Sequence, residues 1–243
     1  MRRPDMGTGA GAARVRGAFE GLRGRMAPPG FRLWPGFLDT AAQRVLAQTV
    51  LAAANAAPFY RPLTPSGRQM RVSMTNLGAL GWVTDAAGYR YQAHHPVTGH
   101  PWPAMPPALI DLWRTLSGAP ADPDGCLVNL YGPDARMGLH QDRDEADFSF
   151  PVLSVSLGDA AVFRIGAAAR GGRTETVRLA SGDVCMLGGA ARLAFHGIDR
   201  VLAGTSRLIP DGGRLNLTLR RAGPWTGPDA NAVQAIPPGQ GLG

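Results

Sequence analysis

The stretch Arg214-Leu215-Asn216-Leu217-Thr218-Leu219-Arg220 alternates strictly between polar side chains and leucines. A period of two predicts a β-strand whose two faces have different surroundings. The leucine face is typical of a strand that packs on a hydrophobic core. The opposite face carries Arg214 and Arg220, and a buried arginine is costly unless its charge meets an anion. The strand is therefore predicted either to bind an anionic ligand or to lie at a solvent-facing sheet edge.

The spacing of these two arginines limits what they can bind. Six residues of extended strand span roughly 20 Å, so Arg214 and Arg220 cannot both hold one small ligand end-on from the strand alone. We expect one arginine to bind the distal carboxylate of a ligand. The other would reach toward a metal, or toward a carboxylate that binds the metal. A dicarboxylate that also chelates iron would satisfy both arginines.

The stretch Leu139-His140-Gln141-Asp142 supplies an imidazole and a carboxylate two residues apart. On a strand, the side chains of His140 and Asp142 would point to the same face and could bind one ion. His196 would add a second imidazole from another strand. Two histidines and one carboxylate leave open positions on Fe(II), whereas structural zinc takes four protein ligands. This set is the predicted metal site, although such spacing also arises by chance on surfaces.

From Cys126 onward, short β-rich segments recur, separated by turns that contain glycine. Many short strands at this spacing predict a β-sandwich or a jelly roll. The predicted strands are Cys126–Tyr131, Pro151–Leu157, Ala161–Ile165, Thr174–Leu179, Asp183–Leu187, Arg192–Phe195 and Arg214–Arg220.

Two helices are predicted in the first half of the chain. The first covers residues 41–56, where apolar residues recur at helical spacing. Thr40 would cap it, and Gln43 stands three residues later, as a capping box requires. The second covers residues 107–116, because a pair of prolines can begin a helix and a glycine follows it.

Between the helices, residues 70–84 begin like a strand and continue into a glycine-rich turn. Tyr89-Arg90-Tyr91 alternates as a strand edge does. His94, His95 and His100 lie among prolines in a predicted loop. Their spacing matches neither a helix face nor a strand face, so we do not expect these histidines to bind a metal.

Most of the net charge of +7 lies in residues 1–32, which hold seven arginines against Asp5 and Glu20. This basic segment could attract phosphates, or it could reflect a compositional bias toward arginine. Cys126 and Cys185 are the only cysteines, which argues against a disulfide framework and favours a reducing, cytoplasmic compartment. No apolar run approaches the roughly 20 residues that cross a bilayer. A secreted or membrane protein is therefore not expected.

Ordered motifs over roughly residues 68 to 223 resemble the AlkB family, the Fe(II)/2-oxoglutarate-dependent dioxygenases that repair alkylated nucleic-acid bases. The motifs are Met74-Thr75-Asn76, Leu80-Gly81-Trp82, Tyr89-x-Tyr91, Pro101-Trp102-Pro103-Ala104-Met105-Pro106, Asn129-x-Tyr131, Leu139-His140-Gln141-Asp142-x-Asp144-Glu145, Ser154-Val155-Ser156-Leu157-Gly158, Gly182-Asp183-Val184, His196-Gly197-Ile198 and Arg214-x-Asn216-Leu217-Thr218-x-Arg220.

The resemblance implies a role for each matching residue. His140, Asp142 and His196 would bind iron and, with Arg220, form the catalytic set. The 2-oxoglutarate site would comprise Asn129, Leu130, Tyr131, Arg214, Asn216, Thr218 and Arg220, with Arg214 on the distal carboxylate. The substrate site would comprise Trp82, Tyr89, Arg90, Tyr91, Asp144 and Arg170. In it, Trp82 would stack on the damaged base, and Asp144 would meet the exocyclic amine of that base.

The resemblance also implies an architecture, mainly β with some α structure. A double-stranded β-helix, or jelly roll, would occupy residues 120–223. Residues 31–119 would form an N-terminal α/β extension that acts as a nucleotide-recognition lid. Residues 1–30 and 224–243 would be disordered tails. A monomer is expected.

The implied activity is oxidative demethylation of 1-methyladenine and 3-methylcytosine in DNA, with RNA as a further substrate. Fe(II), 2-oxoglutarate and O2 would be required, and formaldehyde, succinate and CO2 would be released. The substrate DNA could be single- or double-stranded. Three alternatives stay open: an RNA or tRNA demethylase, an oxygenase of the same class for a substrate other than nucleic acid, and a metal-dependent jelly-roll binding module without enzymatic activity.

The substrate residues have structural alternatives. Trp82 could be a core residue, Tyr89 and Tyr91 an ordinary half-exposed strand, and Asp144 a solvated acid. Arg170 lies in a low-complexity stretch, which makes its match the weakest. Physical chemistry favours the functional reading, because an enzyme that oxidises a base must extrude it and offset the lost stacking with an aromatic ring. A carboxylate suits methylated bases that are cationic.

Four residues depart from the family pattern. Leu130 replaces an arginine, Leu215 an aromatic residue and Leu187 a tryptophan, and Arg143 replaces a lysine in the acidic loop. These departures leave open the substrate range and the preference for DNA or RNA, but they do not touch the predicted metal ligands.

Overall fold

The structure, a computed structural model, describes residues 19–20 and 28–225 of the 243-residue chain. The two predicted disordered tails lie for most of their length outside these residues. In chain order the strands are β1 (Phe19–Glu20), β2 (Phe31–Trp34), β3 (Ser73–Gly78), β4 (Gly81–Asp85), β5 (Gly88–Gln92), β6 (Gly125–Tyr131), β7 (Met137–His140), β8 (Val152–Gly158), β9 (Ala160–Ile165), β10 (Glu175–Leu179), β11 (Val184–Leu187), β12 (His196–Leu202) and β13 (Arg214–Arg220). The helices are α1 (Thr40–Ala53) and α2 (Pro107–Leu116), and a 3-10 turn covers Gly189–Ala191.

The strands form two antiparallel sheets and a separate hairpin. The large sheet has the order β1-β2-β11-β8-β13-β6-β3, and the small sheet has the order β10-β9-β12-β7. β4 and β5 pair only with each other. Apolar residues of both sheets, such as Leu127 and Phe163, share one buried cluster, so the sheets pack face to face as a jelly roll. The large sheet draws β2 and β3 from the predicted N-terminal extension.

Strand β13 lies between β8 and β6 in the large sheet, and both of its faces are buried. Leu215, Leu217 and Leu219 pack with residues of α1 and α2 on the outer face. Arg214 and Arg220 point to the inner face, toward the small sheet, where Arg214 is 0% exposed. The alternative of a solvent-facing edge strand is therefore wrong. The apolar layer on one side and the charged layer on the other are as the alternation predicts.

Helix α1 is capped by Asp39 rather than by Thr40, and it ends at Ala53, three residues before the predicted end. The Asp39 carboxylate accepts a hydrogen bond from the Ala42 N–H at 2.8 Å. Gln43 does not complete a capping box, because its side chain donates to the Leu38 carbonyl and accepts from the Ser181 hydroxyl across the sheet. Thr40 is therefore the first helical residue.

Replacing Asp39 with alanine should lower the free energy of unfolding by about 1 kcal/mol, because one N-terminal N–H of α1 loses its acceptor. Thr40→Ala should change it by less than half as much. Urea unfolding of both variants measures the difference, and an equal loss for the two would contradict the assignment of the cap.

Six of the seven predicted strands are confirmed, with ends that shift by at most one residue. The seventh, at 192–195, is wrong: this segment continues the 3-10 turn, because the N–H groups of Arg192 and Ala194 donate to the Gly189 and Ala191 carbonyls rather than to a neighbouring strand. No bounds were predicted for strands β7 and β12, although His140 and His196 were each expected to lie on a strand. β7 is only four residues long and contains Gly138, and β12 lacks the alternation that makes β13 recognisable.

Asn76 on β3 links the β4–β5 hairpin to the large sheet by hydrogen bonds. The Asn76 side chain accepts from the Trp82 N–H at 3.0 Å and donates to the Trp82 carbonyl at 3.1 Å. His95, in the predicted loop, is buried between Tyr60 and Trp102, and its Nε2 bonds the Pro58 carbonyl oxygen. Neither helix of the described residues is long and apolar enough to cross a membrane.

Candidate metal and cosubstrate site

His140, Asp142 and His196 come together between the two sheets. One ligand atom from each lies within 4.8 Å of the others. His140 ends β7 and pairs directly with His196, which begins β12. Asp142 lies two residues beyond His140, just after the strand rather than on it, and each imidazole Nε2 is 3.7 Å from one of its carboxylate oxygens. Among the described residues, this is the one histidine, cysteine, aspartate or glutamate cluster compact enough for a metal.

Backbone carbonyls orient both imidazoles. Nδ1 of His140 bonds the Gly138 carbonyl oxygen and Nδ1 of His196 bonds the Ala194 carbonyl oxygen, both at 2.9 Å. An Nδ1 that donates to a carbonyl leaves Nε2 unprotonated in the neutral ring, as a metal ligand must be. Gly197 permits this pairing of β7 with β12, because a Cβ there would stand 2.5 Å from the Met137 carbonyl oxygen.

The charge state of the site also fits a divalent cation. Burial alone would raise the pKa of Asp142, but Arg220 and the two histidines hold it well below the usual range of a carboxyl group. Burial, reinforced by His140, lowers the pKa of His196 to about 4. The ligands are thus an anion and an uncharged imidazole at neutral pH. The buried Oδ2 of Asp142 faces Nη2 of Arg220 at 2.8 Å, and a carboxylate oxygen keeps a second lone pair that could bind a metal.

A cavity of about 490 Å³ opens beside the three ligands, and Arg214 lies in its wall. Arg214 donates from Nη2 to the Ser156 hydroxyl at 2.8 Å. Its Nε and Nη1 find no hydrogen-bond partner among the described residues, and neither does the Oδ1 atom of Asn129. Burial lowers the pKa of Arg214. A fully buried guanidinium with two free N–H groups fits a carboxylate ligand that reaches it through the cavity.

Arg220 occupies the other end of the strand and contacts a metal ligand directly. Its Nη2 lies 2.8 Å from Oδ2 of Asp142, in an ion pair. Burial opposes the charge of Arg220, but Asp142, Tyr91 and Glu145 raise its pKa above the usual value. One arginine of β13 therefore reaches Asp142, the carboxylate that the sequence predicts to bind the metal.

The other residues of the predicted 2-oxoglutarate site line the same cavity, with the exception of Leu130. Asn216 and Thr218 bond each other, and Asn216 also donates to the Ser154 hydroxyl and the Val155 carbonyl. Burial raises the pKa of Tyr131 to about 12, so its hydroxyl keeps its proton. Leu130 is not brought into the cavity: its side chain points to the outer face of the sheet and packs in the core beneath the helices.

Four of the predicted substrate residues line the cavity: Trp82, Tyr89, Asp144 and Arg170. The indole Nε1 of Trp82 donates to Asp144 Oδ2 at 2.7 Å, and the Trp82 and Tyr89 rings stack with centroids 5.6 Å apart. Arg170 lies over the Phe195 ring at the cavity mouth. Trp82 is therefore half-buried in the cavity wall rather than enclosed in the core.

Two predicted substrate residues do not line the cavity. Arg90 forms an exposed salt bridge with Asp85, at 2.8 Å, and bonds Gln92. Tyr91 turns its hydroxyl inward and donates to Glu145 Oε1 at 2.6 Å. Alternation along β5 explains why Arg90 points away from the cavity, because neighbouring side chains point to opposite faces. It does not explain Tyr91, which shares a face with Tyr89 but turns its hydroxyl to Glu145.

Sequence reasoning missed two functional-site neighbours, Glu145 and Arg192. Both are buried, and they pair at 2.9 Å. Glu145 stands in an acidic run that resembles a solvated loop, and Arg192 lies in a segment predicted to be a strand. A signal was present: a run of carboxylates beside a metal ligand needs a balancing cation.

The jelly roll, the open triad and the arginine in the cavity together define an oxygenase that uses Fe(II) and a dicarboxylate cosubstrate. Residues 30–220 match the model of the 2OG-Fe(II) oxygenase superfamily. An alpha-ketoglutarate-dependent dioxygenase AlkB homolog from Caulobacter vibrioides is 64% identical over 194 residues, 80% of this chain and 88% of that protein. The alpha-ketoglutarate-dependent dioxygenase AlkB of Escherichia coli is 42% identical over 191 residues, 77% of this chain and 88% of that protein.

Comparison of structures agrees with the comparison of sequences. The solved structure of OsALKBH1 superposes with a TM-score of 0.71 at 30% identity, and covers 81% of this chain and 99% of that chain. The chain belongs to the AlkB family of 2OG-Fe(II) oxygenases. It is an alpha-ketoglutarate-dependent dioxygenase, with Fe(II) as its metal and 2-oxoglutarate and O2 as cosubstrates.

Proposed function

We propose that this dioxygenase removes methyl groups from N-alkylated bases, 1-methyladenine and 3-methylcytosine, in DNA. The observation that carries the proposal is the Trp82–Asp144 pair, in which an aromatic ring and a carboxylate are held together on the cavity wall near the metal ligands. The family resemblance seen in the sequence is to enzymes that act on alkylated bases. RNA that carries the same lesions is a second candidate substrate.

Fe(II) with 2-oxoglutarate and O2 supplies the oxidising power: one oxygen atom enters succinate as CO2 leaves, and the other is inserted into a methyl C–H bond. The product is an N-hydroxymethyl base. Its C–N bond then breaks, the hydroxyl proton is lost, and the nitrogen regains its lone pair, which gives formaldehyde and the unmodified base.

We assign the positioning of the reactants to this chain's own side chains. His140, Asp142 and His196 would hold the metal, and Arg214 would hold the distal carboxylate of 2-oxoglutarate. Trp82 would stack on an extruded base and offset about 1–3 kcal/mol of the lost base stacking. The Trp82 N–H fixes one oxygen of Asp144, so the other would be free to accept from the exocyclic amine of the base.

The charge of Asp144 favours a particular class of lesion. Methylation of adenine at N1 or of cytosine at N3 leaves the base cationic, and a carboxylate attracts a cation more strongly than a neutral base. The β4–β5 hairpin would then act as the recognition lid over the cavity. The predicted lid of residues 31–119 is cut back to this hairpin, because β2 and β3 belong to the large sheet and the two helices pack on its outer face. Arg143 and Arg170, which also line it, would face the phosphates.

Mass spectrometry of methylated oligonucleotides tests the proposal. The protein is incubated with Fe(II), ascorbate and 2-oxoglutarate, and with DNA or RNA that carries 1-methyladenine, 3-methylcytosine or the neutral N6-methyladenine. We expect the two cationic lesions in DNA to lose 14 mass units with formaldehyde release. Succinate production without loss of any base methyl group would refute the proposal and indicate a substrate other than nucleic acid.

Trp82→Ala should raise the KM for a methylated oligonucleotide roughly 10- to 100-fold, because the stacking partner of the base is lost. Succinate production in the absence of nucleic acid should stay at the wild-type level. Trp82→Phe is the matched variant: it keeps an aromatic face but loses the hydrogen bond to Asp144, so its KM should lie between the two. Equal KM values for Trp82→Ala and the wild type would exclude stacking on Trp82.

A further inference from the structure

A buried polar chain runs from the β4–β5 hairpin to the metal ligands. The Tyr91 hydroxyl donates to Glu145 Oε1 at 2.6 Å. The same carboxylate oxygen lies 3.2 Å from Nε of Arg220, and Nη2 of Arg220 lies 2.8 Å from Asp142 Oδ2. Glu145 therefore stands between a hydroxyl of the hairpin and the arginine that contacts a metal-binding carboxylate.

Arg192 binds the second carboxylate oxygen of Glu145 and fixes the backbone around it. Its Nη2 donates to Glu145 Oε2 at 2.9 Å, its Nη1 to the Asp142 carbonyl at 2.6 Å and its Nε to the Phe150 carbonyl at 2.8 Å. One guanidinium thus bonds three points of the segment between residues 142 and 150. Glu145 cannot shift without disturbing the backbone of the metal ligand.

The charged groups of this buried polar network depend on one another for stability. Two carboxylates, Asp142 and Glu145, face two guanidiniums, Arg192 and Arg220, and the Glu145 side chain is only 2% exposed. In such surroundings an unpaired charge is strongly destabilising, so the four groups hold one another. Burial raises the pKa of Tyr91 well above 10, and its hydroxyl stays a donor.

We propose that Tyr91 and Glu145 are positioning residues that couple the β4–β5 hairpin, which carries Trp82, to the Arg220–Asp142 pair beside the metal. The hairpin and the metal site then hold their relative position as one unit. This role differs from the sequence-based prediction that Tyr91 belongs to the substrate site. It rests on the proposed function only for the identity of the substrate that the hairpin holds.

Tyr91→Phe and Tyr60→Phe form a matched pair of variants. Each removes one half-buried phenolic hydroxyl from the N-terminal part of the fold, but the Tyr60 hydroxyl has no hydrogen-bond partner among the described residues. Hydrogen–deuterium exchange of the metal-free proteins is the first measurement. We expect residues 81–92 and 142–146 to exchange at least fivefold faster in Tyr91→Phe and at the wild-type rate in Tyr60→Phe.

The second measurement is the charge-transfer absorption that appears when 2-oxoglutarate is added to the anaerobic Fe(II) protein. Glu145→Gln keeps the shape of the side chain but removes the carboxylate that pairs with Arg192. In this variant, Arg220 keeps Asp142 as its carboxylate partner among the described residues. We expect its apparent Kd for 2-oxoglutarate to rise at least threefold and its absorption maximum to shift. Tyr60→Phe should match the wild type. If Glu145→Gln does not fold, the exchange comparison of the two tyrosine variants decides alone.

The third measurement is the ratio of succinate to demethylated base. A hairpin that is no longer held should place the substrate poorly, so Tyr91→Phe should release at least twice as much succinate per methyl group removed. The proposal is overturned if Tyr91→Phe exchanges hydrogen like the wild type and only binds oligonucleotides more weakly. That result would indicate that the Tyr91 hydroxyl contacts the substrate directly. A wild-type protein without demethylase activity would refute the proposed function, whereas the exchange and absorption measurements would still decide the coupling.

Discussion

Replacing Asp142 with alanine is expected to abolish Fe(II) binding and to reduce turnover to background. The carboxylate supplies one of three ligands, and both imidazole Nε2 atoms lie 3.7 Å from it. The same change removes the anion that faces Arg220 at 2.8 Å and leaves a buried guanidinium without it. Breaking a buried pair in this way costs about 3–5 kcal/mol, which lowers the melting temperature of the metal-free protein by roughly 6–20 °C.

The two losses can be separated by the choice of variants. Asp142→Asn keeps the volume of the side chain and removes the charge, so this variant should also lose Fe(II) binding. Asp147→Ala, in the same acidic run, removes a carboxylate that bonds only the neighbouring Ser149 backbone, and it should bind Fe(II) as the wild type does. Equilibrium dialysis with Fe(II) under anaerobic conditions and thermal melts measure both effects. Wild-type Fe(II) affinity in Asp142→Ala would show that this carboxylate is not a ligand.

Arg214→Met is expected to change function and stability in opposite directions. The Arg214 guanidinium is fully buried, and its Nε and Nη1 make no hydrogen bond with the described residues. Two charge-assisted hydrogen bonds to 2-oxoglutarate, at about 1.5–3 kcal/mol each, would be lost, so the Kd for 2-oxoglutarate should rise by at least about 100-fold. The ligand-free protein should become more stable by about 1 kcal/mol or more, because two unsatisfied buried donors are gone.

Thermal melts with and without 2-oxoglutarate measure both directions in one experiment. The wild type should gain stability when 2-oxoglutarate is added, whereas Arg214→Met should start higher and gain nothing. Arg214→Lys keeps the charge but replaces the planar guanidinium with an ammonium group. This variant should retain part of the stabilisation by 2-oxoglutarate. A less stable Arg214→Met protein with unchanged affinity for 2-oxoglutarate would mean that the buried charge serves the fold and not the ligand.

The two faces of β13 were predictable because alternation is a local property of the chain. The same holds for most of the strands after Cys126 and for helix α2. Strand β7 was not predictable: four residues with a glycine carry no periodic signal, and its pairing with β12 comes from the tertiary structure. The cap of α1 was misplaced by one residue because Asp39 and Thr40 are both good capping residues, and only the path of the chain selects one.

The cluster of His140, Asp142 and His196 was predictable from residue type and spacing, although Asp142 lies just after the strand that ends at His140 and not on it. Arg220 was predictable in kind, as an arginine near a metal-binding carboxylate. The burial of Glu145 was not, because the four acidic residues from 142 to 147 give no sign of which one turns inward. The partner of the Tyr91 hydroxyl was not predictable either. Alternation separates Arg90 from its two neighbours, but it does not identify the group that a tyrosine hydroxyl bonds.

The direct pairing of His140 with His196 has a consequence for how the enzyme is loaded. Strand hydrogen bonds and two backbone carbonyls, rather than the ion, bring the imidazoles together. The assembly of these side chains therefore does not depend on the metal, and we expect that iron can be removed and replaced without unfolding the protein. Gly197 maintains this preorganisation: any side chain at that position would separate the two strands and spoil the geometry of the empty apoenzyme before a metal arrives.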